Sequence, residues 1–187
     1  MALSSVSSKM PTPRMRRIFF KLSEQWGPPT RMAAHAALHI AVWEDPDGTA
    51  MAFNTLGLSD AARAADGSPI ELHWLVKRPL DLAAQTAAAA FLAQLAAAAR
   101  VPEARFDWHR SVRAPEGVPG FPRCFDLWLH PALTAADPDT LEDAEGAIKM
   151  LYVIPLTEYE SFVLAQQGAN ALLDYLHLNQ IDLLAPR

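Results

Sequence analysis

The chain has 187 residues, 51% of them apolar and 20% charged, which is the composition of a single soluble globular domain with a buried core. Its net charge of −5 disfavours nonspecific nucleic-acid binding, and its single cysteine excludes an intrachain disulfide and favours a reducing compartment. No stretch predicts a transmembrane helix or a signal peptide, so we expect a cytoplasmic protein.

The N-terminal region divides into a polar tail and an amphipathic helix. Residues 1–12 are rich in serine and proline and are predicted to form a disordered tail, while 13–187 form a single domain. Apolar residues recur at helical spacing from Pro13 to Trp26, and Gly27-Pro28-Pro29 ends the helix. Its opposite face is basic. A helix packed on its own domain is favoured, and a membrane-surface helix is the alternative.

Alternating apolar and polar residues then predict three strands. Residues 38–43 and 49–56 flank the turn sequence Glu44-Asp45-Pro46-Asp47-Gly48 and are predicted to form a hairpin. A loop over 57–69 leads to a third strand over 70–76.

The middle of the chain contains the clearest predicted helix. Residues 82–100 are rich in alanine, Asp81 can cap them, and Pro102 ends them. A short strand over 106–108 and a longer one over 124–130 are expected to follow.

A strand that leads into a capped helix is the centre of the predicted fold. The apolar run 148–154 predicts a central strand, which Pro155 is expected to end because proline has no N–H for the ladder. Thr157 and Glu160 have the spacing of a capping box. This spacing predicts a helix from there to Gly168, with a second helix after it.

The order of these elements predicts the fold class. Hairpin-linked strands with few crossovers form a mixed, mostly antiparallel sheet, and the helices are expected to cover its faces. We therefore expect an α+β domain with a layered α/β/α architecture and no internal repeat.

No motif in the chain indicates catalysis. A glycine-rich phosphate loop, a nucleophile elbow and a dinucleotide fingerprint are all missing from the sequence, and no cofactor is expected. Cys124 with His73, His109 or His130 could serve as nucleophile and base in a small hydrolase or thiol enzyme. A small buried thiol is the favoured interpretation of Cys124.

Two other residue pairs have simpler explanations than chemistry. His35 and His39 would share a face only on a helix, and a strand is expected to begin between them, so no metal site is predicted. Asp107 and Asp126 could form a catalytic carboxylate pair, but each is expected on the polar face of a short strand.

The five tryptophans include two that do not follow the pattern of their strands. Trp74 and Trp108 fit apolar faces and are expected in the core. Trp43 and Trp128 are out of phase with the apolar residues around them. Either helices cover the second face of the sheet, which is favoured, or an aromatic patch is exposed for a partner.

The net charge comes from one short acidic segment without a basic residue. Outside it, acidic and basic residues balance. A solvated loop explains such a segment, and the functional alternative is an electrostatic contact that speeds association with a basic protein. Its acidic residues are Asp137, Asp139, Glu142, Asp143 and Glu145.

Four short motifs follow one another along the chain: 54–60 (NTLGLSD), 70–72 (IEL), 153–160 (VIPLTEYE) and 167–174 (QGANALLD). In this order and spacing they resemble the suppressor-of-fused-like domain. The family shows a T-x-G-L-S strand-to-loop signature and then a strand with an acidic residue between apolar ones. A hydrophobic-Pro-Leu segment leading to Glu and a closing Gly before Leu-Leu complete the pattern. The resemblance covers most of the chain.

The resemblance implies a protein-binding domain without catalysis. Bacterial stand-alone members are regarded as immunity proteins that neutralise a polymorphic toxin by direct binding, so a cognate toxin domain is the expected partner. We expect no metal, nucleic-acid or membrane partner, and a monomer or weak dimer. The matched Gly57, Leu58, Ser59, Pro155 and Glu160 are interpreted as structural. The surface expected to meet the partner comprises Leu58, Asp60, Asp137, Asp139, Glu142, Asp143, Glu145, Trp43 and Trp128.

Overall fold

The structure is a computed structural model that describes residues 10–187 apart from 36, 37, 46, 78, 79, 102, 135 and 136. Most of the predicted tail, residues 1–9, lies outside the described residues, as do the predicted turn residue Pro46 and the predicted helix stop Pro102. The elements occur in the order α1 (Pro13–Trp26), β1 (Arg31–His35), β2 (Leu38–Glu44), β3 (Ala50–Leu56), β4 (Ile70–Lys77), α2 (Leu82–Ala99), β5 (Arg110–Arg113), β6 (Cys124–His130), β7 (Thr140–Asp143), β8 (Gly146–Thr157), α3 (Glu158–Gln167) and α4 (Ala169–Leu178).

The strands form one mixed sheet. Its order is β1-β2-β3-β4-β8-β6-β5, and β7 pairs with the first part of β8. The β4–β8 pair is parallel, and every other pair among the described strands is antiparallel. The predicted hairpin is β2–β3, whose turn is closed by Asp45 accepting the N–H groups of Thr49 and Ala50. The mixed, mostly antiparallel sheet is confirmed.

Helices cover both faces of this sheet. On one face, Ala88, Leu92 and Ala96 of α2 pack in a core that includes Phe53 and Trp74. On the other face, α1 covers the β2–β3 side, and α3 and α4 cover the β6–β8 side. Burial of both faces explains the long apolar runs in the central strands. The layered α/β/α architecture is confirmed.

Helix α2 corrects the expectation that no segment could cross a membrane. Its 18 residues carry no charge, and it is long and apolar enough to do so by length and composition alone. One side of α2 is buried against the sheet through alanines and leucines. This buried face accounts for part of the apolar character of α2.

Strand β8 continues through Pro155, where the prediction ended it. Pro155 pairs with Leu127 on β6, while β4 accompanies β8 only as far as Tyr152. The N–H and C=O positions of one residue point to the same side of a strand. The carbonyl of Pro155 accepts a hydrogen bond from Nη2 of Arg187 instead of a strand. The N–H that Pro155 lacks would therefore point to the side of β8 where no neighbouring strand lies, so no ladder hydrogen bond is lost.

Local signals were more reliable than isolated strand signals. The capping box is confirmed, since the N–H of Thr157 donates to Glu160 over 2.7 Å and the N–H of Glu160 donates to Thr157 over 3.3 Å. The strand expected over 106–108 is not formed, although Trp108 is anchored by a 2.9 Å hydrogen bond to the carbonyl of Met150. Strands β1, β5 and β7 were not predicted.

Candidate protein-binding surface

Trp43 and Trp128 are buried, so the exposed aromatic patch that would have used them is wrong. Both side chains are no more than 1% exposed. Trp43 lies under α1 and donates its indole N–H to the carbonyl of Gly27 at 2.9 Å. Trp128 lies under α3 and α4 with Leu172 and Leu176. They are out of phase because the second face of the sheet is also a core face.

The T-x-G-L-S turn is organised around a buried carboxylate. The side chain of Glu71 is fully buried and accepts hydrogen bonds from Thr55 Oγ1, from the N–H of Gly57 at 3.0 Å, and from the N–H and Oγ of Ser59 at 3.1 and 2.8 Å. Burial raises the pKa of Glu71 to about 7, while these hydrogen bonds oppose the shift. Two motifs separated in sequence, 54–60 and 70–72, thus form one structural unit.

This turn leaves Leu58 in the core and Asp60 at the surface. Leu58 has no exposed area, so its assignment to the partner-binding surface is wrong, while its structural interpretation agrees with the packing. Gly57 has φ +100°, and an added Cβ would lie 3.1 Å from Sδ of Met15 on α1. The positive φ favours glycine there, and an added Cβ would force the side chain of Met15 to shift by a few tenths of an ångström.

The acidic segment and the basic face of α1 neutralise each other. Arg14, only 9% exposed, donates to Asp143 at 2.8 Å, to Glu145 at 2.5 Å and to the carbonyl of Ser59 at 3.1 Å. Arg17 donates to the other oxygen of Asp143 at 2.8 Å. Hydrogen bonding to Arg14 lowers the pKa of Asp143. Asp143 and Glu145 therefore hold α1 on the domain, where the sequence suggested a solvated loop or a free contact surface.

Of the remaining acids of this segment, two accept local hydrogen bonds and one does not. Asp137 accepts from Gln25 at 3.0 Å and from Thr134 at 2.8 Å, and Asp139 accepts from the N–H of Ala132 at 2.7 Å. Glu142, at the centre of β7, is exposed, and its side chain has no hydrogen bond or ion pair within the described part of the chain. It is the acid most open to a partner.

The arrangement of Cys124 and the histidines gives no support to a thiol enzyme. Cys124 is buried, and burial raises the pKa of its thiol to about 11, the opposite of an activated nucleophile. His130 stands six positions further along β6, about 20 Å away for an extended strand. The other two histidines lie at that same end: the ring of His109 is 5.1 Å from that of His130, and His73 pairs with Tyr152, the register partner of His130.

The other candidate chemical pairs are also separated. His35 ends β1 and His39 lies on β2, and the described residues contain no cluster of three or more His, Cys, Asp or Glu that could hold a metal ion. Asp107 pairs with Lys149 at 2.9 Å, while Asp126 pairs with Arg113 at 2.9 Å. These carboxylates serve as separate ion-pair partners.

Exposed apolar side chains occur where no sequence pattern predicted them. A groove of about 300 Å³ lies between α1 and the β1–β2 edge of the sheet. We call it the α1–β1 groove, and its principal lining residues are Met15, Arg16, Phe19, Phe20, Met32 and His39. Nδ1 of His39 is buried and has no hydrogen-bond partner within the described part of the chain.

A second, shallower apolar surface lies at the start of α3. Phe125, Tyr159 and Phe162 are 41%, 57% and 56% exposed, and Arg123 borders them. Aromatic side chains beside arginine are enriched where protein interfaces carry most of their binding energy.

Comparison with known proteins finds one family and several solved structures that are similar to this chain. The model of the family described as Suppressor of fused protein (SUFU) matches residues 35–187. No curated protein matches the chain. A solved structure described as the Sufu-Fu complex has a TM-score of 0.72 at 13% identity, covering 95% of this chain and 90% of the other.

A second solved structure sets the scale of the match. The crystal structure of Drosophila Suppressor of Fused has a TM-score of 0.68 at 11% identity, covering 94% of this chain. The match spans only 50% of that Drosophila chain. These likenesses show the fold, and the family match over residues 35–187 shows the family. The chain belongs to the Suppressor of fused protein family.

Proposed function

We propose that this chain is a bacterial, cytoplasmic immunity protein that neutralises a cognate toxin domain by direct, non-catalytic binding. Family membership over residues 35–187 carries the proposal, because suppressor-of-fused-like domains bind other proteins. The alanine-rich sequence, with more arginine than lysine, fits a GC-rich bacterial genome.

The charge distribution favours a basic partner on the α1–β7 side of the domain. Glu142 is exposed and unpaired within the described residues, and the carboxylates of Asp137 and Asp139 lie close by in sequence. Complementary charge steers two proteins together and raises the association rate. A basic toxin domain, such as a nuclease, fits this surface.

The experiment that tests the function is a tagged pull-down from the native host, with mass spectrometry of proteins that co-purify near stoichiometry. The proposal expects one partner with a toxin domain. It is overturned if a toxin encoded beside this chain in the host genome is expressed but not captured, or if the purified pair does not associate.

A kinetic experiment tests the acidic contact once the partner is in hand. Glu142→Gln should lower the association rate constant about two- to fivefold at low salt, and the difference should vanish at high salt. Glu103→Gln is the matched control, because Glu103 is an exposed carboxylate outside the acidic segment. Association rates that respond to neither Glu142→Gln nor salt would rule out this contact.

A further inference from the structure

We propose that the α1–β1 groove receives a short segment of the protein partner in which a large apolar side chain stands beside a carboxylate. The inference rests on the proposed function insofar as the occupant is a protein. It assigns a second contact, opposite in charge to the acidic segment.

The walls of the groove are apolar and partly open to solvent. Phe20 is 63% exposed and Met32 is 46% exposed, while Met15 and Leu56 beneath them are buried. The unbranched thioethers of methionine adapt to different apolar shapes, which suits a binding surface. Burying a large apolar side chain here would stabilise the complex by removing both surfaces from water.

The charge at the groove identifies the neighbour of that apolar side chain. Arg14 and Arg17 on α1 are both held by Asp143, and Lys21 pairs with Glu24. Arg16 lines the groove, is exposed, and has no carboxylate partner among the described residues. A carboxylate from the partner would complete the pattern that the other basic residues of α1 already show.

The size and place of the groove favour a protein segment over a free small molecule. Its volume of about 300 Å³ is at the lower end of ligand pockets and has room for roughly one or two side chains. Helix α1 separates it from the acidic β7 strand, which α1 also contacts. A partner lying across α1 would therefore meet Glu142 on one side and the groove on the other.

The first test uses two synthetic peptides, acetyl-Gly-Phe-Asp-Gly-amide and acetyl-Gly-Phe-Asn-Gly-amide, titrated into ¹⁵N-labelled full-length chain. The aspartate peptide should shift the amide signals of α1 and β1 and bind about two- to fivefold tighter than the asparagine peptide. Arg16→Gln should abolish that preference, and Arg105→Gln, an exposed arginine outside the groove, should leave it intact. No shift in α1 or β1 at about 5 mM peptide, where a millimolar site would fill, overturns the proposal.

The second test separates this site from the function as a whole. Phe20→Ser should weaken binding of the co-purified partner about tenfold, whereas Leu178→Ser, an exposed leucine at the end of α4, should change it less than twofold. Partner binding that is indifferent to Phe20→Ser overturns the groove while leaving the proposed function standing. Absence of any partner overturns the function, and the peptides still decide the groove. Binding to phosphatidylcholine–phosphatidylglycerol vesicles that Phe20→Ser abolishes would replace the protein segment with a lipid surface.

Discussion

Arg14 donates its Nε hydrogen to Oδ2 of Asp143 across 2.8 Å, although 129 positions separate the two residues in the chain. This contact joins α1 to the end of β7. It shows that the basic helix and the acidic segment are halves of one internal ion-pair network. Because these ion pairs neutralise Arg14, Arg17, Asp143 and Glu145, the charges of this region that remain available to a partner are chiefly those of Glu142 and Arg16.

Asp143→Ala should lower the free energy of unfolding by about 2–4 kcal/mol, because a nearly buried guanidinium loses its best partner. The lowered pKa of Asp143 places this contribution above the ordinary pKa of 3.8, and it is lost as pH falls through the folded-state pKa. Urea denaturation at neutral pH measures the loss. Glu142→Ala, one position away but exposed, should stay within about 0.5 kcal/mol of the native protein. Equal losses in the two variants would contradict the network.

Glu71→Gln should destabilise the domain by about 1–3 kcal/mol at pH 5. The amide oxygen can still accept from the N–H groups of Gly57 and Ser59, but the NH2 group then replaces the oxygen that accepts from the hydroxyl of Thr55. Thermal unfolding against Asp60→Asn, an exposed change in the same turn, gives the comparison. A variant as stable as the native protein at pH 5 would show that the carboxyl does not organise this turn.

The free energy of unfolding of the native protein should also depend on pH through the titration of Glu71. Its pKa rises from 4.5 to about 7 on folding, so between these pH values the folded state holds a proton that the unfolded chain has released. The contribution of Glu71 to unfolding free energy therefore falls as pH rises, by up to about 3 kcal/mol by pH 7. Glu71→Gln lacks this titration, so its deficit should shrink over that range. Parallel pH curves for the two proteins would contradict the shift.

Cys124 should resist iodoacetamide in the folded protein at pH 7.5 and react fully in 6 M guanidinium chloride. Its burial and raised thiol pKa both suppress the thiolate. Intact-mass spectrometry over time measures the labelling. Rapid modification of folded protein would return the thiol-enzyme alternative to consideration.

Arg187→Ala should lower the free energy of unfolding by about 2–3 kcal/mol. The side chain of Arg187 contacts the 2% exposed carboxylate of Glu160 at 3.1 Å and donates to the carbonyl of Pro155. The substitution leaves both of these buried acceptors without that donor. Arg123→Ala, which removes an exposed guanidinium nearby, is the thermal-unfolding control. Adding Glu160→Gln to Arg187→Ala should recover part of the loss, and a further loss would argue against the pair.

The parts of the fold that depend on neighbouring residues could be predicted from the sequence. Thr157 and Glu160 are three positions apart, so their capping box is a local matter. The layered class followed from the order of helices and strands. Pro155 was misjudged because its effect depends on which side of β8 lacks a neighbouring strand, and only the whole sheet decides that.

The binding surface was harder to predict, because the exposed charges and apolar side chains are those that residues distant in sequence do not pair with or cover. Nothing local to Asp143 shows that Arg14 will neutralise it. Trp43 and Trp128 were ambiguous because one strand cannot show whether its second face is covered. The family motifs contain Gly57, Ser59 and Glu71, which form one buried cluster. They do not include the α1–β1 groove, whose walls come from a helix and an edge strand that was not predicted.

The most direct test of the central claim is a growth assay in which the chain and its captured partner are expressed from separately controlled promoters. We expect the partner alone to arrest growth, and growth to recover as the chain reaches a one-to-one ratio. Cys124→Ser should rescue as well as the native chain, since the mechanism is binding. Growth arrest that persists with the folded chain in excess, or a partner that is harmless alone, would contradict the immunity function.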